Sequence, residues 1–119
     1  EFIQNTNASI TKVMEWEVFW AYFDIDDTLI DKDGKVIESS LELVKKLESE
    51  WHEVHIWTGW DLDLAREKLA STPFAKYGVV SKYDYAWAEA EIVIDNVSPE
   101  KFAIQTLITA KRFIRVNDN

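Results

Sequence analysis

The apolar residues of this chain fall into short unbroken runs, and the first clear run ends in a cluster of acids. Residues 18–23 are all apolar, and Asp24, Asp26 and Asp27 follow within four positions. A continuous apolar run bounded by polar residues is typical of a strand buried on both faces, as in the centre of a parallel sheet. We therefore predict a strand over residues 18–24, with the acids at its carboxyl end, where open α/β sheets place their ligands.

Four further β-prone runs follow, at residues 54–58, 77–81, 92–95 and 113–116. Segments with helically spaced apolar residues separate most of these runs. The expected buried positions of these helices are Leu43, Val44, Leu47 and Trp51, then Leu62, Ala65 and Leu69, then Phe102, Ile104, Leu107 and Ile108. Strands that alternate with helices predict a parallel sheet. We expect an α/β, three-layer Rossmann-like sandwich, with a central parallel sheet of about five strands and helices on both faces.

Turn and capping signals predict where several elements begin. Asp33 and Gly34 lie between two short apolar pairs and predict a small β-hairpin with a type I′ turn, because glycine accepts the positive φ that such a turn demands. Residues 39–42 have the pattern of a capping box that opens the first helix. Asp61 and Ser98 are the expected caps of the second and third helices.

Composition and charge narrow the classes of protein. The chain has 119 residues, a net charge of −9 and no cysteine. Its length predicts a single domain over residues 13–119, after a flexible polar segment over residues 1–12. The negative charge, without a basic stripe, disfavours nucleic-acid binding and favours divalent cations. The apolar runs are too short to span a bilayer and no signal peptide is visible, so we expect a cytoplasmic protein with no membrane contact. His52 and His55 have no nearby ligand pattern and are expected to be structural.

The acidic segment at residues 23–29 resembles the first motif of the haloacid dehalogenase (HAD) superfamily of phosphohydrolases, an apolar strand followed by Asp-x-Asp-x-Thr. In that family the first Asp is the nucleophile that becomes an aspartyl phosphate, and the second is the general acid and base. The resemblance assigns these roles to Asp24 and Asp26, and Thr28 would order the loop. A hairpin flap follows the first motif in the family, as predicted here. The alternative is a plain acidic loop that caps the next element.

A second polar strand end lies at Thr58 and Gly59. The threonine hydroxyl and the bare glycine amide can both donate to a phosphate oxygen. The position resembles motif two of the HAD family, where Thr or Ser binds the transferring phosphoryl group, and a plain strand end is the alternative. Trp60 stands where many relatives carry Arg. It either stacks on a substrate base or sugar or, as we expect, packs against the sheet edge.

The resemblance also implies a lysine close to the nucleophile. Lys82 directly follows the third predicted strand. It is the candidate for the family's lysine before motif four, which stabilises the nucleophile and the charge on the phosphoryl group. The alternative is a solvated loop lysine, and Lys76 and Lys101 are the substitutes for the role.

Asp95 ends a β-branched run and matches motif four of the family, whose acids complete a Mg²⁺ site with the first motif. The implied metal ligands are Asp24, the main-chain carbonyl of Asp26, and Asp95, because Mg²⁺ retains waters and takes a phosphate oxygen. Asn96 occupies the commonest position of the second motif-four acid. Glu100 matches the longer-spaced form of the motif, with Glu for Asp, or belongs simply to the first turn of a helix.

The resemblance implies a Mg²⁺-dependent phosphohydrolase that cleaves a phosphomonoester through an aspartyl phosphate. The intervals between the motifs are too short for a cap domain. Capless members of the family accept large substrates or use a neighbouring subunit as a lid, so the expected substrate is a small-molecule or macromolecular phosphomonoester and an oligomer is compatible with this reading.

The sequence also allows two alternatives to a phosphohydrolase. A catalytically silent HAD-like module that binds a metal or a partner is the functional alternative, because Asn96 and Trp60 depart from the family pattern. A receiver domain of a two-component system is the architectural alternative. A receiver needs an Asp at a strand end before Thr58, and that segment offers only Glu53.

Overall fold

The computed structural model describes residues 18–116, so the expectations for residues 1–12 and for a domain start at residue 13 lie outside the described residues. Within this range one sheet contains five parallel strands in the order β3-β2-β1-β4-β5. The strands are β1 (Trp20–Phe23), β2 (Glu53–Thr58), β3 (Val79–Ser81), β4 (Glu89–Asp95) and β5 (Thr109–Arg115). The predicted parallel sheet of about five strands is therefore confirmed.

Helices cover both faces of this sheet, which makes the fold an α/β three-layer sandwich. The α-helices are α1 (Glu38–Ser49), α2 (Leu62–Leu69) and α3 (Pro99–Thr106), and short 3₁₀ turns span Pro73–Lys76 and Lys82–Tyr85. Because side chains alternate along a strand, β1 supplies both layers. Phe23 packs in the cluster under α1 and α2, whereas Tyr22 packs in the cluster under α3. No cap domain interrupts residues 18–116.

The register of the sheet places three strand ends side by side. Phe23 of β1 is level with Ile56 of β2 and with Ile94 of β4. The residues that follow these positions therefore lie at the same carboxyl edge of the sheet. The main chain reinforces the alignment, because the Asp24 N–H donates to the Ile94 carbonyl at 3.0 Å. Asp24 and Asp95 are thus adjacent as a consequence of strand register.

The first helix begins differently from the prediction, and the capping box was wrong. α1 starts at Glu38 after Ile37, which supplies no side-chain cap. The Ser40 hydroxyl instead donates to the carbonyl of Thr28, which ties the helix to the acidic loop. Trp51 was wrongly placed on the buried stripe. It follows the end of the helix with φ of 69° and is 82% exposed.

The flap after the first acidic loop is a small hairpin, closed by one antiparallel bridge, but its turn is not of type I′. That type requires positive φ at both central residues, and of Asp33 and Gly34 only Gly34 has it, at 80°. The Asp31 N–H donates to the Lys35 carbonyl at 2.8 Å, which leaves a three-residue loop with glycine in the left-handed position. This arrangement is the common hairpin with a glycine bulge.

The third helix is shorter than the spacing of its apolar residues predicts. Ser98 caps it as expected, with Pro99 in its first turn. It ends at Thr106 because Leu107 adopts a left-handed conformation with φ of 60°. Ile104 lies within the helix but on its exposed face, at 78% exposure, so its predicted burial was wrong.

The two histidines contact neighbouring protein groups. Nδ1 of buried His52 accepts a hydrogen bond from the Phe19 N–H at 2.8 Å, and burial, which is the largest effect, lowers the pKa of His52. His55 stacks on Tyr22 within β1 and β2. These contacts agree with the structural role expected of both. Within residues 18–116, no helix combines the length and apolar character needed to cross a bilayer.

Candidate active site

Asp24, Lys82 and Asp95 form a buried charged triad at the carboxyl edge of the sheet. The Lys82 ammonium lies 2.7 Å from Oδ1 of Asp24 and 3.4 Å from Oδ2 of Asp95. Asp24 follows β1, and Asp95 ends β4. Lys82 directly follows β3 and is the first residue of a 3₁₀ turn. Three segments that are distant in sequence therefore meet at one point, as the sequence predicted. Lys76 instead lies 3.8 Å from Glu48, and Lys101 is exposed on α3, so neither substitute reaches this triad.

The orientation of Asp95 is fixed by the main chain that follows it. Its Oδ1 accepts hydrogen bonds from the N–H groups of Asn96, at 2.7 Å, and Val97, at 3.4 Å. Its Oδ2 is then directed toward Lys82. The Arg115 guanidinium Nε donates to the Asn96 carbonyl at 3.0 Å, so β5 supports the same turn.

Burial and crowding perturb the titration of the triad. Burial, and then the nearby Asp95 carboxylate, raise the pKa of Asp24 to about 6, although Lys82 acts in the opposite direction. Burial would lower the pKa of Lys82, but Asp24 and Asp95 together outweigh it and raise that pKa above its usual value. The Lys82 ammonium therefore stays charged at neutral pH. The Asp24 carboxyl loses its proton at a pH closer to neutrality than an ordinary aspartate does. Perturbed carboxylates in a cleft are typical of functional sites.

Asp26 lies beside this triad and has a cationic partner of its own. Lys68 of α2 places its Nζ 3.2 Å from Oδ1 of Asp26. The same Nζ lies 4.5 Å from the centroid of the Trp60 ring. Both side chains of the ion pair are partly exposed, at 34% for Lys68 and 42% for Asp26, so a substrate could reach the carboxylate.

The loop that carries the acids is tightly wound. The carbonyl of Ile25 accepts hydrogen bonds from the N–H groups of Thr28 and Leu29, at 3.3 and 2.9 Å. Asp27 adopts a left-handed conformation with φ of 58°. Thr28 is fully buried, and its Oγ1 has no hydrogen-bond partner in the described part of the chain. The Thr28 carbonyl, which accepts from Ser40, is the group that links this loop to α1.

Thr58 and Gly59 lie at the same edge as the triad. Thr58 is buried, and its Oγ1 accepts the N–H of Trp60 at 3.1 Å, which leaves the hydroxyl proton available for donation. Thr58 faces a narrow slot shared with Asp26 and Lys68, whereas Gly59 lines the main cavity. The expected packing of Trp60 against the sheet edge was wrong, because the residue is 58% exposed.

A cavity of about 410 Å³ opens over these groups. Its walls contain predicted residues from three motifs and also several residues that the sequence did not single out. The lining residues are Asp24, Asp26, Asp27, Gly59, Trp60, Lys82, Tyr83, Asp95, Asn96, Val97, Gln105 and Thr106. Glu100 is not among them. It lies in the exposed first turn of α3, which corresponds to its helix-start alternative.

Lys68, Tyr83, Gln105 and Thr106 are the site residues that sequence reasoning missed. Lys68 is 42 residues from its partner Asp26, and its contact depends on which face α2 turns to the acidic loop. The sequence could have indicated Tyr83, because this residue directly follows the candidate Lys82. Gln105 and Thr106 belong to the last turn of α3, whose end the sequence placed too late.

Two carboxylates of the cavity are oxygen ligands of the kind that Mg²⁺ prefers. Asp24 and Asp95 present two carboxylates, and Lys82 supplies a single positive charge between them. Across residues 18–116, no three His, Cys, Asp or Glu side chains converge closely enough to hold a metal unaided. Mg²⁺ would therefore rely on these two carboxylates with the Asp26 carbonyl, water and phosphate oxygens, which is a usual way of binding this ion. The implied ligand set stays a prediction.

Comparison with known proteins identifies a family whose model covers the strand ends that carry these residues. The family model of haloacid dehalogenase-like hydrolases matches residues 21–102, which is more than half of the chain and includes the acids, Thr58 and Lys82. No curated protein and no solved structure gave a significant match. The chain belongs to the haloacid dehalogenase-like hydrolase family.

Proposed function

We propose that the protein is a Mg²⁺-dependent phosphatase that hydrolyses a phosphomonoester through an aspartyl phosphate on Asp24. The observation that carries this proposal is the position of the Lys82 ammonium, in contact with both Asp24 and Asp95 inside a cavity. A cation held between two carboxylates, one of them buried, can stabilise the oxygens of a phosphoryl group.

In the first half-reaction a carboxylate oxygen of Asp24 forms a bond to phosphorus. The bond from phosphorus to the leaving oxygen breaks, and Asp26 donates its proton to that oxygen. Lys82 offsets the charge on the phosphoryl oxygens, and it needs no large movement because it already contacts Asp24. The Thr58 hydroxyl and the Gly59 N–H fix the phosphoryl group, which is a positioning role.

In the second half-reaction Asp26 takes a proton from water, whose oxygen attacks the phosphorus of the aspartyl phosphate. The bond from phosphorus to the Asp24 oxygen breaks, and inorganic phosphate and free enzyme are released. Asp26 serves both half-reactions because its carboxyl group is protonated in one and ionised in the other. When bound by Asp24, Asp95 and the Asp26 carbonyl, Mg²⁺ would add Lewis-acid stabilisation of the phosphoryl charge.

A catalytically silent module that binds a metal or a partner is the second candidate. Asn96 supports it, because an amide occupies the position where the family usually has a second acid. The closed Asp24–Lys82 ion pair also supports it, since a nucleophile held by an ammonium is less free to attack.

Turnover of an aryl phosphate, with and without EDTA, separates these two candidates. The wild type should release phosphate with Mg²⁺, lose this activity in EDTA and regain it when Mg²⁺ is restored. Asp24→Asn should lose at least about 10³-fold in turnover, because an amide is a poor nucleophile. Asp63→Asn is the matched control, since Asp63 is an exposed acid of α2 that pairs with Arg66. Absence of turnover over a broad panel of phosphomonoesters would favour the silent module.

A further inference from the structure

Two exposed aromatic side chains stand at the mouth of the cavity. Trp60 is 58% exposed and Tyr83 is 71% exposed, yet both line the same cavity as Asp24 and Lys82. Large aromatic side chains usually bury most of their surface in a monomer. Trp51 and Trp87 are more exposed still but do not line this cavity. The position of Trp60 and Tyr83 in the wall of the charged cavity, together with their exposure, therefore points to recognition of a ligand.

The chain couples each aromatic residue directly to a group of the phosphoryl site. Trp60 follows Gly59, and its N–H is held by Thr58 Oγ1 at 3.1 Å. Tyr83 follows Lys82, and its N–H is held by Ser81 Oγ at 3.2 Å. Both rings therefore begin one residue away from a group of the phosphoryl site and line the same cavity.

A local contact holds the Trp60 ring while leaving it accessible. The Lys68 ammonium lies over the Trp60 ring at 4.5 Å, which is within the range of a cation–π contact. Trp60 also lines the narrow slot beside Lys68, so it forms the wall between that slot and the main cavity. Gly59 and the Tyr83 side chain line the same cavity, so the ring lies on the side from which the Gly59 main chain is approached.

The charges at the mouth restrict what can lie on these rings. Asp26 and Asp27 line the same cavity, and the chain carries a net charge of −9. Four aspartates and one lysine line the cavity, so its charge is negative overall and a leaving group with additional phosphates would be repelled. A neutral planar ring would stack on the aromatic side chains and add no negative charge.

We propose that Trp60 and Tyr83 bind the leaving group of the substrate, and that the substrate is a phosphomonoester with a single phosphate and a planar ring. This inference rests on the proposed phosphatase function. The ring is recognised by stacking, so an aryl ester and a nucleobase share the required chemistry. Lys68 holds Trp60 and is a positioning residue for this contact.

The catalytic test compares ring-bearing and ringless substrates in variants of the full chain. The ratio of kcat/KM for 1-naphthyl phosphate to kcat/KM for glycerol phosphate should fall about tenfold in Trp60→Ala and in Tyr83→Ala. The use of a ratio within each variant cancels the intrinsic reactivity of the leaving groups. Adenosine monophosphate in place of the naphthyl ester distinguishes a nucleobase from an aryl ring as the better ligand. Trp51→Ala is the matched control, because Trp51 is 82% exposed before β2, at the opposite edge of the sheet.

A binding test makes the inference independent of turnover. In the Asp24→Asn background, naphthylmethylphosphonate should bind about tenfold more tightly than methylphosphonate by calorimetry, and Trp60→Ala should remove the difference. Turnover with an unchanged ratio in both aromatic variants, or with an equal fall in Trp51→Ala, would overturn the inference and leave the phosphatase standing. Ring-dependent binding without turnover on any phosphomonoester would overturn the phosphatase and with it the assignment of a leaving group, and would leave Trp60 and Tyr83 as a ring-binding surface of the silent module.

Discussion

At the scale of single residues, the ionised Asp24 carboxylate is needed for the proposed reaction but destabilises the folded protein. Burial and the Asp95 carboxylate raise its pKa to about 6, so its ionised form is less favourable in the folded protein than in the unfolded chain. The ionised form is nevertheless the one that can attack phosphorus. Active sites commonly retain such unfavourable charges at some cost in stability.

This conflict predicts a pH-dependent effect of Asp24→Asn on stability. A raised folded-state pKa contributes stability that is fully present below the ordinary value of 3.8 and is lost as pH rises through about 6. Asparagine does not titrate, so the variant should gain stability relative to the wild type as pH rises from about 4 to about 7.5. We expect a gain of at most about 3 kcal/mol in unfolding free energy, measured by urea denaturation.

Asp63→Asn tests whether the loss of any acid gives this trend, because Asp63 is an exposed residue on α2. If the stability of Asp24→Asn relative to the wild type stayed constant, or fell, as pH rises from about 4 to about 7.5, the account of Asp24 would be contradicted.

Lys68 offers a second test at the residue scale. Its ammonium contacts Asp26 at 3.2 Å and should orient the carboxyl group that exchanges protons with the leaving group and water. We expect Lys68→Met to lower kcat by about 10- to 100-fold, because misplaced catalytic groups lose much of their effect. Lys68→Arg should restore much of the rate. Lys76→Met is the control, since Lys76 is a surface lysine paired with Glu48 at 3.8 Å. A normal kcat in Lys68→Met would show that the contact has no part in turnover.

The triad and Lys68 also show what sequence can predict about a site. Asp24 and Asp95 were predictable because strands in parallel register deliver their last residues to one edge. Lys82 was the candidate because the family resemblance implies a lysine before motif four and this residue directly follows the third predicted strand. Lys68 was not predictable. Its contact with Asp26, 42 residues away, depends on which face of α2 packs on the sheet. Trp60 was misjudged because the amphipathic character of tryptophan does not decide between packing and exposure.

At the scale of elements, α3 depends on a cap whose contribution can be measured. Ser98 Oγ accepts the Lys101 N–H at 3.2 Å, and Pro99 follows in the first turn. We expect Ser98→Ala to lower the unfolding free energy by about 1 kcal/mol, because one amide at the helix start loses its acceptor. Ser49→Ala, in the exposed last turn of α1, should change it by less than about 0.5 kcal/mol. Equal effects of the two variants would contradict the assigned role of Ser98.

The errors in element boundaries have local causes. The serines at the start of α1 matched a capping box, but Ser40 is buried and donates to the loop that carries the acids. The hairpin was correctly placed, yet its glycine serves a bulge in a three-residue loop. In both cases the sequence pattern was right about the type of element, and a tertiary contact or an extra residue determined its detailed form.

At the scale of the whole molecule, the fold brings charge of both signs to one edge of a sheet. Five strands in the order β3-β2-β1-β4-β5 place β1 in the centre, so Asp24 lies between the ends of β2 and β4. The net charge of −9 is then locally countered at the cavity by Lys82 and Lys68. The alternation of strands and helices, which predicted this architecture, is the most readily recognised feature of the chain.

The most direct test of the account is the detection of a covalent phosphoryl group on Asp24. Asp26→Asn should slow hydrolysis of the intermediate, so acid-quenched protein incubated with Mg²⁺ and an aryl phosphate should gain the mass of one phosphoryl group. Peptide mapping should place the group on Asp24, and the double variant with Asp24→Asn should not be labelled. Turnover by the wild type together with a label on another residue, or with label retained in the double variant, would contradict the account.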